Sequence, residues 1–484
     1  MKNNSGKKRS PIKRVLIVLG VLIALIICAL TFLAWPLLNP KSYSPAEAIA
    51  DIDSLVVSVE RIHPDPYRQL SKEDFYSAVD KAKHRLSAKE KVTSLDFYNE
   101  AARLMAMFKE GHVSVIAPEV LYQRGMKLFP YFTAFRVESG THRLVLDQDI
   151  EIDGSTFKAG DELLEINGKT ALDIVEGTLE IVSGESDGFR CALINERNVI
   201  PDRLNIWLCY NMPAEIYRVK MKTASGFKSL DVKSVGLLKW FKTYRESKVD
   251  ELTTIRPPFA SEMLNDSTLL FSFNECVTEG LNDFLKDMFS KANADGVRFL
   301  IIDNRYNTGG NSEAGDEVCR YLTDSVFYGV AEVSVRISEP VRNRRLFNMN
   351  GVVPARDTVI NMVIDNPDSE SFKKPYGPDV RFHGKVFLLN SNLTFSAAAD
   401  FASIFSYYKL GTIVGEETGG MTITSGDNLA MTLPNTGLTL CLPYKLFVNA
   451  GADKNAPVHG VLPDIQVNSE SALEVALKLI SEGK

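Results

Sequence analysis

A serine, a pair of glycines and a histidine are the residues of this chain whose types and settings could do chemistry. Ser396 lies in "NSNLTFSAAADFASIF" (390–405), directly after the apolar run "GKVFLL", where a buried strand gives way to an Ala-rich helix. A helix N-terminus gathers unpaired N–H groups and positive potential, so it stabilises an anion beside it. Ser396 is there either as an N-cap, the commonest role for serine at such a place, or as a nucleophile. A nucleophilic serine needs a neighbouring base and a site for the oxyanion.

The loop "NTGGN" (307–311) offers the second requirement. It follows the buried-strand pattern "FLIID", and Gly309 and Gly310 have no side chain to keep backbone N–H groups away from a bound group. A turn is the plainer use of a glycine pair, and Asp303 with Arg305 reads as an ion pair shaping that loop. His112, in "KEGHVSV", stands just past a helix end, where a lone histidine is ordinarily a solvated loop residue. His63, flanked by Pro64 in "RIHPDPY", reads as structural, since the prolines fix the turn.

The elements that must position these residues follow from length and pattern. At 484 residues, with 45% hydrophobic and 24% charged content, the chain has the composition of an ordinary globular protein of several domains. Its net charge of −6 argues against nucleic acid as a partner, which would require a basic face. Cys28 lies in an apolar run, and the other cysteines and the six histidines show no metal-ligand spacing, so no metal and no cofactor are expected. The oligomeric state is not encoded in any pattern here.

Residues 1–14 carry Lys2, Lys7, Lys8, Arg9, Lys13 and Arg14, and precede an uncharged run of 24 residues from Val15 to Leu38. That run is long enough to span a bilayer, and the basic flank holds the N-terminus in the cytoplasm. The reading is one transmembrane helix at 15–38, a single-pass anchor that leaves the rest outside the cytoplasm, periplasmic or at the cell surface. A cleaved signal is its rival. Residues 45–121 are expected to form a helical subdomain, opened by Ser44-Pro45 as cap and first-turn proline. Residues 122–240 read as a β-rich module in which Asn167-Gly168 signals a hairpin, and 266–484 alternates strand and helix patterns, with an insertion at about 322–383 over the sheet.

Five blocks in this order carry a resemblance: "KEGHVSV", "AGDELLEING", "IIDNRYNTGG", "NLTFSAAADF … VGEETGG" and "HGVLPDI". Together they resemble the C-terminal-processing and tricorn-core family of serine peptidases, also called tail-specific proteases. The resemblance implies an α/β chain with a crotonase-like catalytic domain of stacked ββα units, a helical N-terminal subdomain and a PDZ-like module. By the same resemblance Ser396 is the nucleophile, and the Ala397 N–H with one from Gly309 or Gly310 forms the oxyanion hole. The glycine-rich carboxylate-binding loop usual in PDZ domains is not evident before "AGDELLEING", where "KLFPYFTAFRVE" stands.

The family divides by its base. One branch pairs the serine with a lysine 25 residues later, and here that place holds Met421, which accepts no proton. The other, resembling tricorn and the interphotoreceptor retinoid-binding repeats, takes its base from the Gly-His block, which implies His112. An imidazole titrates in the range a general base needs. In that branch a glutamate before the final Gly-x-x-Pro-Asp orients the site, but "AGADKNAPVHGVLPDI" has none. Glu417, Asp453 and His459 are left as alternatives, and Glu110 replaces the more usual aspartate of the Gly-His block. The expected function is a membrane-anchored extracytoplasmic serine endopeptidase acting on peptides or unfolded tails through an acyl-enzyme. The alternative is an inactive peptide- or lipid-binding protein on the same fold.

Overall fold

The computed structural model describes residues 41–117, 125–138, 141–152, 154–195, 203–247, 256–343 and 357–483. The basic tail at 1–14 and the anchor expected at 15–38 lie outside these. Among the described residues no helix is long and apolar enough to cross a membrane.

Three helices open the described chain: α1 (Pro45–Ile62), α2 (Lys72–Ser87) and α3 (Ser94–Ala106). Ser44 and Thr93 begin α1 and α3 with capping boxes closed by Glu47 and Asp96, and Pro45 takes the first turn, where its missing N–H costs nothing. Their apolar faces do not form a separate core. Ile52, Leu55, Val59, Phe97, Leu104 and Met105 pack with Val335, Leu429, Leu440 and Leu442 from far along the chain.

The middle of the chain builds an antiparallel sheet from β2 (Thr133–Glu138), β3 (Thr141–Leu146), β4 (Glu162–Ile166), β5 (Ile216–Thr223) and β6 (Gly226–Lys233), in the order β6-β5-β4-β3-β2. Before it, β1 (Ser114–Ile116) leaves to join a different sheet. The Asn167-Gly168 hairpin forms, with φ of 50° and 82°, because a tight two-residue turn that matches strand twist requires positive φ at both positions. Helices α4 (Ala171–Leu179), α5 (Asp187–Asn195) and α6 (Arg203–Asn211) cover it, so this module is more helical than its sequence pattern suggests.

The remainder centres on a six-stranded sheet: β7 (Phe259–Asn265), β8 (Thr268–Phe273), β9 (Phe299–Asp303), then, after α7 (Leu281–Ala294), α8 (Glu313–Leu322), β10 (Val330–Ile337) and β11 (Thr358–Val363), β12 (Lys385–Asn390). Helix α9 (Ala397–Tyr407), β13 (Thr412–Gly415), β14 (Ile423–Thr432), β15 (Thr439–Asn449), β16 (Ile465–Gln466) and α10 (Ala472–Ser481) complete the chain. The order is β7-β8-β9-β12-β13-β16, parallel from β8 onwards. Both faces are buried, which explains the uninterrupted apolar runs that marked these strands. Leu300, Ile302 and Leu388 face α7, α8 and α9, while Ile301, Phe387 and Leu389 face α10. The stretch 322–383 supplies β10 and β11 to a further sheet, β11-β10-β15-β14, which β1 joins on β15.

A buried carboxylate fastens α1 to that further sheet. Asp51 is fully buried and accepts the backbone N–H of Asn435 (3.1 Å) and Thr436 (2.7 Å), the Asn435 amide (2.8 Å) and the Thr436 hydroxyl (2.7 Å). Asp51→Ala leaves these donors buried without an acceptor, and we expect it to cost about 2–3 kcal/mol. Urea unfolding measures this; a loss below about 0.5 kcal/mol would contradict the assignment.

Candidate active site

Strands β9 and β12 are adjacent and parallel, so the loops that leave their C-terminal ends meet, which is where open α/β sheets place their sites. The loop after β9 is held by Asp303 and Arg305, paired at 2.7 Å, with Arg305 also donating to the Ser469 carbonyl at 2.6 Å. Asn304 Nδ2 donates to Asn390 Oδ1 and to the Ala398 carbonyl, each at 3.2 Å, and the Thr394 hydroxyl donates to the Asn304 carbonyl at 2.9 Å. The Phe395 N–H donates to the Asn307 carbonyl at 3.1 Å. Buried amides thus stitch the glycine loop to the head of α9.

Ser396 occupies the N-cap place of α9 but caps nothing. Its backbone sits at φ 51°, ψ −131°, and its hydroxyl makes no capping bond. A non-glycine residue held there costs on the order of 1–3 kcal/mol, tolerated only where surrounding structure imposes it. The small residues that follow allow that packing: Ala397, Ala398, Ala399 and Ala402 are buried, and Phe401 sits on Gly315 of α8. Freed from capping, the Ser396 Oγ lies 3.2 Å from His112 Nε2.

His112 arrives from the loop after α3, and Glu110 fixes that loop. The buried Glu110 carboxyl accepts from His63 Nε2 (2.9 Å), Arg68 (3.2 Å) and the Ser425 hydroxyl. Burial alone would raise it, but His63, Arg68 and Ser425 outweigh that and hold it at about 2. His63 Nδ1 accepts the Asp65 N–H at 3.1 Å, so the proton it gives Glu110 is on Nε2. His63 is therefore structural, as its proline-flanked setting suggests. The His112 ring stacks on Phe395 (centroids 4.6 Å apart, 27° between planes), which stacks in turn on Phe189 (4.5 Å, 20°). Gly111 leaves room for both rings, because a Cβ there would stand 2.7 Å from Phe395 and 2.9 Å from Phe189. Loss of water around the ring pushes His112 down to about 4, against the opposing pull of Glu110 and Asp427.

The two glycines differ. Gly309, at φ 107°, gives its N–H to Asn307 Oδ1 at 3.0 Å, while Gly310, at φ 136°, has an N–H with no acceptor among the described residues. The Ala397 N–H has none either. A Cβ on Gly309 would meet Ser396 Cβ at 2.7 Å and the Ala397 nitrogen at 3.1 Å. Of the two glycines, Gly310 keeps the N–H without an internal acceptor among the described residues, while Gly309 lets the loop approach Ser396.

None of the three residues considered for orienting the histidine does so. Glu417 accepts the Gly460 N–H at 2.8 Å, Asp453 accepts the Asn455 N–H at 2.8 Å, and His459 Nδ1 faces the Gly460 carbonyl at 2.6 Å. Each serves its own turn. Met421 is buried and pairs with Gly460, so no base stands at the lysine position. Sequence gave no signal for Phe189, which another element brings to the site, whereas Glu110 was visible as a departure within the Gly-His block. Among the described residues no cluster of histidine, cysteine and acidic side chains could hold a metal ion.

Residues 270–467 match the model of peptidase family S41. Among solved structures, the chain is similar to mature CPAF, with 15% identity and a TM-score of 0.58 over 91% of this chain and 98% of that one. The photosystem II D1 C-terminal processing protease also matches, at 15% identity and a TM-score of 0.40 over 87% and 93%. The tricorn protease matches at 15% and 0.38 over 91% and 37%. At these identities the likeness to CPAF is one of fold, and the other two scores are too low to bear on it.

The packing of the glycine loop against the serine sets one expectation. Gly309→Ala strains a left-handed backbone and pushes Ser396 and the Ala397 N–H aside, so the labelling rate should fall roughly a hundredfold or more, alongside a stability loss of about 1–3 kcal/mol from the strain. An alanine variant that reacts with a serine-directed fluorophosphonate as fast as wild type would show that this contact does not set the geometry.

Proposed function

We infer that this chain, a serine peptidase carrying a family S41 catalytic domain, cleaves peptide bonds through an acyl-enzyme on Ser396 with His112 as its base. The observation that carries the residue assignment is the pairing of a strained serine that caps nothing with an imidazole 3.2 Å from its hydroxyl. His112 Nε2 takes the Ser396 proton as Oγ attacks the scissile carbonyl. The developing oxyanion is received by the N–H groups of Ala397 and Gly310, which have no acceptor among the described residues to give up. His112 then protonates the leaving amine, and water repeats the cycle to release the acid.

The middle module is read as PDZ-like and the catalytic domain as crotonase-like. A groove of about 460 Å³ runs between the edge strand β2, α5 and the loop Ser391–Leu393 that precedes the nucleophile. It suits an extended peptide, the substrate proposed here. At Phe135 the edge is already occupied, since Asn195 accepts its N–H and donates to its carbonyl, both at 2.7 Å. A peptide added to this edge would pair on either side of that residue. The site is taken to work outside the cytoplasm, anchored through 15–38. Alkaline-phosphatase fusions after residue 45 test this: active fusions support the orientation, and inactive ones reverse it.

Cleavage of a mixed peptide library by the full-length chain, read by mass spectrometry, tests the reaction. Ser396→Ala and His112→Ala should each abolish cleavage, with fluorophosphonate labelling lost in Ser396→Ala. Because burial favours the neutral imidazole, the acid limb of the labelling rate should lie near pH 4 rather than at the ordinary histidine value. If only Ser396→Ala loses activity, the base is elsewhere. If a folded wild type cuts nothing, the chain is a binding protein.

A further inference from the structure

The His112 ring meets only half of what a general base requires. With Nε2 accepting from Ser396, the neutral imidazole carries its proton on Nδ1, and that buried atom has no acceptor. Three carboxylates stand in its surroundings. Glu110 is engaged by His63, Arg68 and Ser425. Asp427 is paired with Lys445 at 2.5 Å. Glu185, in the turn between α4 and α5, differs from both. The Phe189 ring lies against both Gly184 and Gly111, which brings Glu185 beside the residue before His112, and the Glu185 Oε2 is buried with no partner among the described residues. A buried donor without an acceptor and a buried acceptor without a donor therefore stand beside the same Gly111–His112 segment.

Resting on the Ser396–His112 reading, we propose that Glu185 is the positioning residue of the base, its ionised carboxylate taking up the His112 Nδ1–H. Turned onto the ring, the carboxylate fixes the tautomer in which Nε2 is free to accept. During acylation the Ser396 proton moves to Nε2 and Nδ1 keeps its own, so Glu185 stays ionised and stabilises the imidazolium. This is the work an orienting carboxylate does in serine hydrolases, supplied here from the middle module instead of from the stretch before "HGVLPDI".

The arrangement makes the base depend on pH in its own way. Burial pushes the Glu185 carboxyl up to about 8, the charge of Glu110 adds to this, and the Gly111 N–H and Arg68 oppose it. The charged groups acting on it from the helical segment are Glu110 and Arg68, with His63 paired to Glu110 behind them. From α5 come Arg190, which packs on Gly184 and is paired with Asp187, and from β3 His142, also paired with Asp187. Below about 8 Glu185 is neutral and His112 is a weak base. As pH rises through that value the carboxylate forms and the imidazole gains basicity. The sign for stability is the reverse: a carboxyl raised above its unfolded value withdraws stability as pH rises, so Glu185→Gln should melt higher than wild type at pH 9.

The test is the second-order rate of fluorophosphonate labelling of the full-length chain between pH 3 and 9.5, corrected for probe hydrolysis. Wild type should show a second rise with a midpoint near 8, beyond the histidine limb. Glu185→Gln should lack that rise and react roughly tenfold or more slowly at pH 9. Glu185→Asp should retain the rise with a moved midpoint. A wild-type rate that is flat from pH 7 to 9 overturns the proposal even if the glutamine variant does not fold, and so does a folded glutamine variant that follows the wild-type profile. His112→Ala separates the two readings. If it abolishes labelling while Glu185→Gln changes nothing, the dyad stands without Glu185; if His112→Ala labels as wild type does, the dyad itself is wrong.

Discussion

The buried carboxylate of Glu110 is the interaction on which the site depends. It gathers a histidine from the end of α1, an arginine from the following turn and a serine from β14 around one charge, segments far apart in sequence. Burying a carboxylate is costly, and only several donors together keep it ionised. That requirement converts a surface loop after α3 into a fixed platform. His112, two residues on, inherits its position from the platform, and its ring is then pressed onto Phe395 beside the serine. With the Asp51 cluster earlier along α1, the Glu110 cluster gives the apolar contact between the helical segment and the β11-β10-β15-β14 sheet a polar register.

The second constraint is steric. The glycine loop, the serine and the histidine approach so closely that a single methyl at Gly309 or Gly111 would collide with Ser396 or Phe395. Such closeness needs rigid supports, and the buried amides of Asn304, Asn307 and Asn390 provide them between two parallel strands. The result is a serine kept in a backbone region that serine avoids, with its hydroxyl released from capping. Strain held at the reacting residue and compensated by the packing around it is a common property of functional sites.

The middle module is more than an attachment. It contributes Phe189 to the aromatic stack under His112, and Gly188 of the same helix lies against Asn392, where a Cβ would meet the amide at 2.7 Å. The module therefore shapes the floor of the site as well as the groove beside it.

Much of this was legible in the sequence for reasons that are local. The apolar runs identified buried strands, because a strand covered on both sides has no polar alternation. Ser44-Pro45 and Asn167-Gly168 each read correctly, because caps and tight turns depend on a residue's own backbone preferences. Order of motifs was enough to nominate Ser396, His112 and the loop glycines. What sequence left open was decided by tertiary contact. It could not tell that Ser396 caps nothing, since that depends on a dihedral imposed by neighbours. It could not say which of Gly309 and Gly310 keeps a free N–H, since that depends on which one Asn307 takes. It proposed Glu417, Asp453 and His459 near the histidine, and the fold spends all three on other turns. Proximity across a chain of this length is set by which buried faces and charges find each other, and no pattern confined to one segment records that.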